Sequence, residues 1–293
     1  MQIAVYISRI PDPASVEVDA LSGMVDQKSL VYITSPPDLR AVEEALRIRE
    51  QTGGQVTVFG AGARAAEDSL RECLAMGVDC AVRIWGSGWE EDPAPPFIAR
   101  ALARGMKTKL YDLILCGDAG SHLHVDQVPA WIAESLRWPL ITTVTQLKIG
   151  ADQRVIVQRK LEKGRRQVLE VTCPAVLTVD ISLNEPRECA LDALISARQS
   201  DIDLVDIPFE SIAAKLPAIC RAAGNRWAVK PLRPEPQVIF TPDPSLPAHE
   251  RIKQIIYGWL AVKKGLVVQG APEEVAEEIL SFLINKGIYP QRK

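Results

Sequence analysis

Two of the chain's three histidines, His122 and His124, stand in one stretch, Cys116-Gly117-Asp118-Ala119-Gly120-Ser121-His122-Leu123-His124-Val125-Asp126-Gln127. Two imidazoles at that spacing could hold a metal ion, yet no third ligand follows at a workable distance. The stretch leaves the apolar run Leu113-Ile114-Leu115-Cys116 and passes through glycines into a helical pattern. A loop so placed lies at the carboxyl edge of an open sheet, where α/β proteins bind ligands. The helix start that follows offers amides and a positive dipole end to a phosphate. Two readings stand side by side: contact with a nucleotide phosphate or flavin, and a plain solvated loop.

A second candidate is Gly60-Ala61-Gly62-Ala63-Arg64-Ala65, a G-x-G-x-x-A pattern between a strand and a helix. Asp79 lies near the distance expected of a ribose-binding acid. Alone, this suggests an NAD-dependent oxidoreductase. The motif follows the second strand rather than the first, however, and Asp79 precedes a strand instead of ending one. A simple glycine turn, itself able to lie against a nucleotide, is the alternative. The chain has no G-x-S-x-G, Walker loop or H-E-x-x-H, and no Cys/His pairing that spacing supports. An enzyme with its own catalytic residues is therefore disfavoured, and a nucleotide-binding regulatory module is a further reading.

The elements that would position these residues alternate along the first 140 residues. Strand candidates are 2–8, 55–60, 80–84 and 111–116; helical patterns cover 36–51, 63–76, 97–107 and 125–136. This rhythm predicts an α/β fold, doubly wound around a mostly parallel sheet. Segments 141–149, 153–161 and 167–179 read as strands joined by short turns, an antiparallel addition. A helix is expected near 190–198, with two more at 248–262 and 272–286. The domain reading is an α/β core over 1–204, an extended arm over 205–247 and a helical segment over 248–293. The arm follows from eight prolines between Pro208 and Pro247, which remove amide donors and forbid regular helix.

Composition bounds the partners. With 34 Lys+Arg against 37 Asp+Glu over 293 residues, the net charge of -3 leaves no footprint for nucleic acid. No apolar run approaches the roughly 20 residues of a membrane helix, and the first residues enter a strand without a secretory pattern. Cys73, Cys80, Cys116, Cys173, Cys189 and Cys220 form no CxxC pair and mostly sit in apolar runs. They read as reduced, packed thiols, and a cytoplasmic location is expected.

Four blocks in order resemble the β subunit of electron transfer flavoprotein. They are Ala41-Val42-Glu43-Glu44-Ala45-Leu46; Leu74-Ala75-Met76-Gly77-Val78-Asp79; the run from Val157-Gln158-Arg159 through Glu162-Lys163-Gly164 and Gln167-Val168-Leu169 to Pro174-Ala175-Val176-Leu177-Thr178; and Leu183-Asn184-Glu185-Pro186-Arg187. The resemblance implies a heterodimeric electron carrier between acyl-CoA-type dehydrogenases and a membrane (quinone-reducing) or soluble acceptor. FAD would be held mainly by an α subunit, with an adenine nucleotide in the β subunit: AMP in ordinary members, a second FAD in electron-bifurcating ones. It places Tyr6, Ser35, Ala61, Gly117 and the loop Asp118, Ala119, Gly120, Ser121, His122, Leu123, His124, Val125, Asp126, Gln127 and Val128 around that nucleotide. It also makes Leu191 the leucine that docks partner dehydrogenases, and the proline-rich arm a wrap for the α subunit.

Departures from the family's pattern sharpen these expectations. Lys163 stands where relatives carry Gly or an acid. Asp126 puts a carboxylate where a phosphate would sit, which protonated His122 or His124 could offset. The loop Gly86-Ser87-Gly88-Trp89-Glu90-Glu91-Asp92 is short and acidic, unlike the hydroxyl-rich loop that holds a second flavin. AMP, or an altered or empty site, is expected over a second FAD. Around Leu191, Glu188, Asp192, Asp201 and Asp203 surround a lone Arg198 where relatives are lysine-rich, so a partner with a different charge pattern is expected.

Overall fold

The apolar runs Ile3–Ile7, Leu113–Cys116 and Ala175–Val179 are buried along their whole length, as strands covered on both faces must be. In the computed structural model they form the middle of a nine-stranded sheet. The structure describes residues 1–19, 24–26, 28–89, 94–118, 127–150, 154–213, 242, 244–257 and 270–286. Its strands are β1 (Gln2–Ile7), β4 (Gln55–Ala61), β5 (Cys80–Trp85), β6 (Leu113–Gly117), β7 (Leu140–Ile149), β8 (Arg154–Lys160), β9 (Arg166–Thr172), β10 (Ala175–Val179) and β11 (Asp203–Asp206). The short β2 (Arg9–Pro11) and β3 (Tyr32–Thr34) pair separately, antiparallel. In space the large sheet runs β11-β5-β4-β1-β6-β10-β7-β8-β9. Pairing is parallel from β11 to β7, and antiparallel from β7 through β8 to β9.

Helices cover both faces. α1 (Pro36–Thr52) starts at the Ser35 cap with prolines in its first turn and stops at Gly53, whose φ of 74° only glycine adopts readily. Its Ala41, Val42, Ala45 and Leu46 join Ile3, Val5 and Ile7 in one core, together with Leu70 and Cys73 of α2 (Glu67–Ala75). On the other face α3 (Pro95–Met106) and α4 (Val128–Leu136) bury Phe97, Leu102 and Ile132 against Ala4, Tyr6 and Phe59. The expected doubly wound, mostly parallel architecture is therefore present.

Three expectations need correction. The run 167–179 is two strands: Pro174 has no amide to donate, and beyond it the chain leaves the β8 edge to enter the sheet centre between β6 and β7. α2 begins at Glu67, not Ala63, after a 3-10 turn over Arg64–Ala66. The Gly62 amide donates to Ile84 O at 3.1 Å, and its carbonyl accepts from Arg83 at 3.3 Å. These bonds hold the chain on β5 for longer than the glycine pattern suggests. The arm expected from residue 205 starts as part of β11, followed by a short helix α6 (Phe209–Ala213).

Those residues are fastened to the core. The Ile207 amide donates to Trp85 O at 2.9 Å, and the Trp89 indole donates to Ile207 O at 2.7 Å. Phe209 stacks on Phe97 with centroids 4.7 Å apart. A Cβ on Gly86 would stand 2.1 Å from Ile207 O, so only glycine permits this approach.

α5 (Leu191–Gln199) packs on α2. The chain divides into two compact units, Met1–Leu232 and Arg233–Lys293. In the second, α7 (Ala248–Tyr257) and α8 (Pro272–Asn285) are described. α8 leaves Ile279, Leu280 and Phe282 exposed. Residues 214–241, most of the expected arm, lie outside the described residues.

Candidate nucleotide site and docking face

The strand order reverses between β1 and β6. The chain goes from β1 to β4 and β5 on one side, then returns to lay β6 on the other. The crevice beyond the carboxyl ends of two such strands is where an open α/β sheet receives a ligand. Tyr6 and Cys116 are in register across it.

One buried carboxylate ties the two strand ends together. Asp38, in the first turn of α1, accepts from the Ser8 amide (2.8 Å) and the Ser8 hydroxyl (2.7 Å) on Oδ2. Its Oδ1 accepts from the Gly117 amide at 2.9 Å. A Cβ on Gly117 would lie 2.4 Å from that oxygen and 2.5 Å from the Asp38 nitrogen, so the glycine is required. The Ser35 amide donates to Ser8 O at 3.0 Å, closing the start of α1 onto the end of β1.

Of the residues expected here, Ser35 and Gly117 are thus tied to Ser8 and Asp38, while the Tyr6 side chain packs in the core on the α3 and α4 face of the sheet. Ala61 ends β4, the other neighbour of β1, one residue beyond the Gly60 that pairs with Ile7. The Asp118 amide donates to Val179 O at 2.8 Å, fixing the loop start to β10. Val128 is buried at the start of α4, and Gln127 caps that helix without a side-chain hydrogen bond. Ala119, Gly120, Ser121, His122, Leu123, His124, Val125 and Asp126 lie outside the described residues. The sequence reading missed Ser8 and Asp38. An acid in the opening turn of a helix that follows a strand was the available signal.

The dinucleotide motif comes apart in space. Gly60 and Gly62 lie at the carboxyl edge, whereas Asp79 precedes β5 at the amino edge. There its Oδ2 accepts from the Val56 amide (2.8 Å) and its Oδ1 pairs with Arg49 (2.9 Å). An acid engaged at the far edge cannot bind a ribose beside the glycines, which removes the best support for the NAD reading. Among the described residues no group of His, Cys, Asp and Glu could hold a metal ion.

A second arrangement joins α1 to the segment before α5. Arg187 donates from Nε to Glu43 Oε2 at 2.8 Å and from Nη1 to Glu50 at 2.7 Å. Glu43 also accepts from Arg47 at 2.8 Å. Asn184 donates to Arg40 O (3.1 Å) and to Glu44 Oε2 (3.0 Å), and the Arg40 guanidinium donates to Asn184 O. Burial alone would raise Glu43, but the hydrogen bonds from Arg187 and Arg47 outweigh it and hold its carboxyl below the ordinary value. Burial raises Glu44, which has only the Asn184 amide as a close donor to oppose it. The segment 184–187 is thereby clamped to α1, and α5 begins four residues later.

On α5 itself Ala197 is buried, while Leu191 is 74% exposed and Ile195 53%. Among the described residues Leu191 therefore packs into no core.

With this geometry in hand, similarity to known proteins becomes informative. A family model described as electron transfer flavoprotein domain matches residues 23–209. The chain is 36% identical over 197 residues to an electron transfer flavoprotein subunit beta of Thermoanaerobacterium thermosaccharolyticum, covering 67% of this chain and 75% of that protein. It is 33% identical over 222 residues to the Bacillus subtilis electron transfer flavoprotein subunit beta, covering 73% and 85%. It is also 33% identical over 205 residues to the Caffeyl-CoA reductase-Etf complex subunit CarD of Acetobacterium woodii, covering 70% and 78%. The α1 clamp, from Arg40 to Glu50 and from Asn184 to Arg187, falls within the matched residues, and the chain belongs to the electron transfer flavoprotein family, as a β subunit.

Proposed function

We propose that the chain pairs with a flavin-bearing α subunit, holds AMP in the crevice between β1 and β6, and docks acyl-CoA dehydrogenase-type donors through α5. Family membership carries the coarser part: electron transport by a flavoprotein that is a heterodimer with an α subunit. The observation that supports the nucleotide is the Asp38 bridge, which sets the ends of β1 and β6 and uses both oxygens of that carboxylate within the chain. Ala61 at the end of β4 and Gly117 at the end of β6 are small, and the start of α4 supplies a helix dipole end suited to a phosphate. Pro129 at the second position of α4 removes one amide from that set. These residues fit a monophosphate held partly by the loop 119–126.

The loop after β5 argues against a second flavin. Trp89 is buried and donates to Ile207 O, so the first residues of this loop, Gly86–Trp89, fasten β11 and α6. The remaining FAD would be held mainly by the α subunit and supply the electron transfer itself. The exposed apolar residues of α8 and the proline-rich arm suit a wrap over that subunit, pre-stiffened to limit the entropy lost on docking. A quinone-reducing acceptor and a cytoplasmic location complete the reading. Among the described residues no helix is long and apolar enough to cross a membrane.

The test is the content of the purified αβ complex. Denaturation should release one FAD and at most one AMP per pair. Two FAD per pair would replace this reading with a bifurcating one.

A further inference from the structure

The sequence makes Arg198 a lone cation among acids, but the fold gives it company. A cleft of about 600 Å³ lies where α2 begins and α5 ends, lined by Arg64, Ala65, Glu67, Asp68, Arg71 and Arg198. Glu67 is already engaged: Arg71 reaches its Oε2 at 3.0 Å and Arg83 its Oε1 at 3.0 Å. The Arg71 Nε is buried without a hydrogen-bond partner. Arg64 and Arg198 are exposed and make no ion pair among the described residues. Three guanidinium groups thus line the cleft with two carboxylates, and one of those, Glu67, is also held by Arg83 from β5.

Leu191, Ile195 and Arg198 are spaced i, i+4, i+7 and so share one face of α5. That face runs from an exposed apolar ridge to the cationic cleft. We infer that Arg64 and Arg198 form a carboxylate-reading subsite of the docking face, so that the preferred protein partner presents an apolar recess with an Asp or Glu about two helical turns away. A guanidinium pair is matched to carboxylates through its fork of donors, whereas a surface without them would leave both cations facing nothing. The inference rests on the docking role proposed for α5, and its test separates the two.

The test uses the co-expressed αβ complex, reduced by an acyl-CoA dehydrogenase charged with its acyl-CoA substrate. Flavin content and far-UV circular dichroism report that each variant is intact. Arg64→Glu with Arg198→Glu should lower the second-order rate of flavin reduction about tenfold at low salt, with the gap closing near 0.5 M salt as the charges are screened. Arg198→Gln alone should give a smaller loss with the same salt dependence. Leu191→Ala should slow reduction at every salt concentration. A slow Leu191→Ala beside unchanged arginine variants overturns the subsite and leaves the docking role standing. Salt-dependent losses in the arginine variants with an unchanged Leu191→Ala support the subsite and overturn the leucine as anchor. No effect in any variant overturns both.

Discussion

Arg187 meets Glu43 across 144 positions of sequence, with Nε 2.8 Å and the backbone amide 3.2 Å from one carboxylate oxygen. Glu43 is 4% exposed, so its charge is desolvated and depends on these donors. The contact explains why Ala41–Leu46 and Leu183–Arg187 matter together: one is the lock on α1, the other the strap that precedes α5.

Breaking that contact should loosen the strap before the core. Glu43→Gln keeps the shape but removes the charge that Arg187 and Arg47 share. The expected cost is roughly 1.5–3 kcal/mol, the range for hydrogen bonds to a charged group. Urea unfolding of the αβ complex reads the loss. Hydrogen exchange should show faster amides in 184–199 and unchanged amides in β1 and β6. Uniform acceleration across the sheet would mean that Glu43 supports the core rather than the strap.

The neighbouring acids should respond to pH with opposite signs. Glu43 lies below the ordinary carboxyl value of 4.5, so its stabilisation is complete above that value and is lost as pH falls through the lowered one. Glu44 lies above 4.5, so its contribution is complete below that value and is lost as pH rises through the raised one. Glu44→Gln should therefore be neutral to stabilising at pH 7, because glutamine still accepts from Asn184 without a desolvated charge. Side-chain carboxyl NMR between pH 3 and pH 7 reads the two midpoints directly, and equal midpoints would contradict the clamp geometry.

What the residues disclosed in advance, and what they hid, follows from range. Local signals worked: Ser35 with Pro36 opened α1, and the continuous burial of β6 was visible as the apolar run Leu113–Cys116. Signals that need two distant segments failed. Nothing local says that Gly86 must admit Ile207, so residues 205–213 looked like a free arm although they are stitched to β5. Arg198 looked isolated because Arg64 and Arg71 approach it only through the packing of α5 on α2. The Gly60 motif misled for the same reason, since the sheet alone decides that Asp79 ends up at the opposite edge. In the crevice, Gly117 was named for its position, while its reason, the buried Asp38 oxygen, required the fold.

The described thiols should resist alkylation. Burial, with Asp112 nearby, pushes Cys173 up to about 11, and burial raises Cys73 and Cys189 as well. At pH 8 a thiol of that pKa is about one part in a thousand thiolate, which is the reactive form. Iodoacetamide on the folded complex should label these three residues slowly, with rates rising in urea. Fast labelling of Cys173 at pH 8 would refute its placement beside the β10 start.

The Asp38–Gly117 contact should be the most sensitive point of the nucleotide crevice. Gly117→Ala drives a methyl group into the Asp38 carboxylate and the α1 backbone, neither of which can move without opening the start of the helix. A destabilisation of roughly 1–3 kcal/mol is expected from overpacking of this kind. Asp38→Ala has a different signature. It leaves the Ser8 and Gly117 amides without their acceptor, at about 1–3 kcal/mol for each donor that stays buried, and uncouples β1 from β6 with little steric strain. Both variants should lower the adenine nucleotide released per αβ pair while the FAD content stays near one, because the flavin is held mainly by the other subunit. Asp38→Asn should fall between, since one amide oxygen can still accept from Gly117 while its NH2 faces Ser8. If nucleotide content is unchanged in Gly117→Ala despite the expected loss of stability, the nucleotide binds elsewhere and the crevice is structural only.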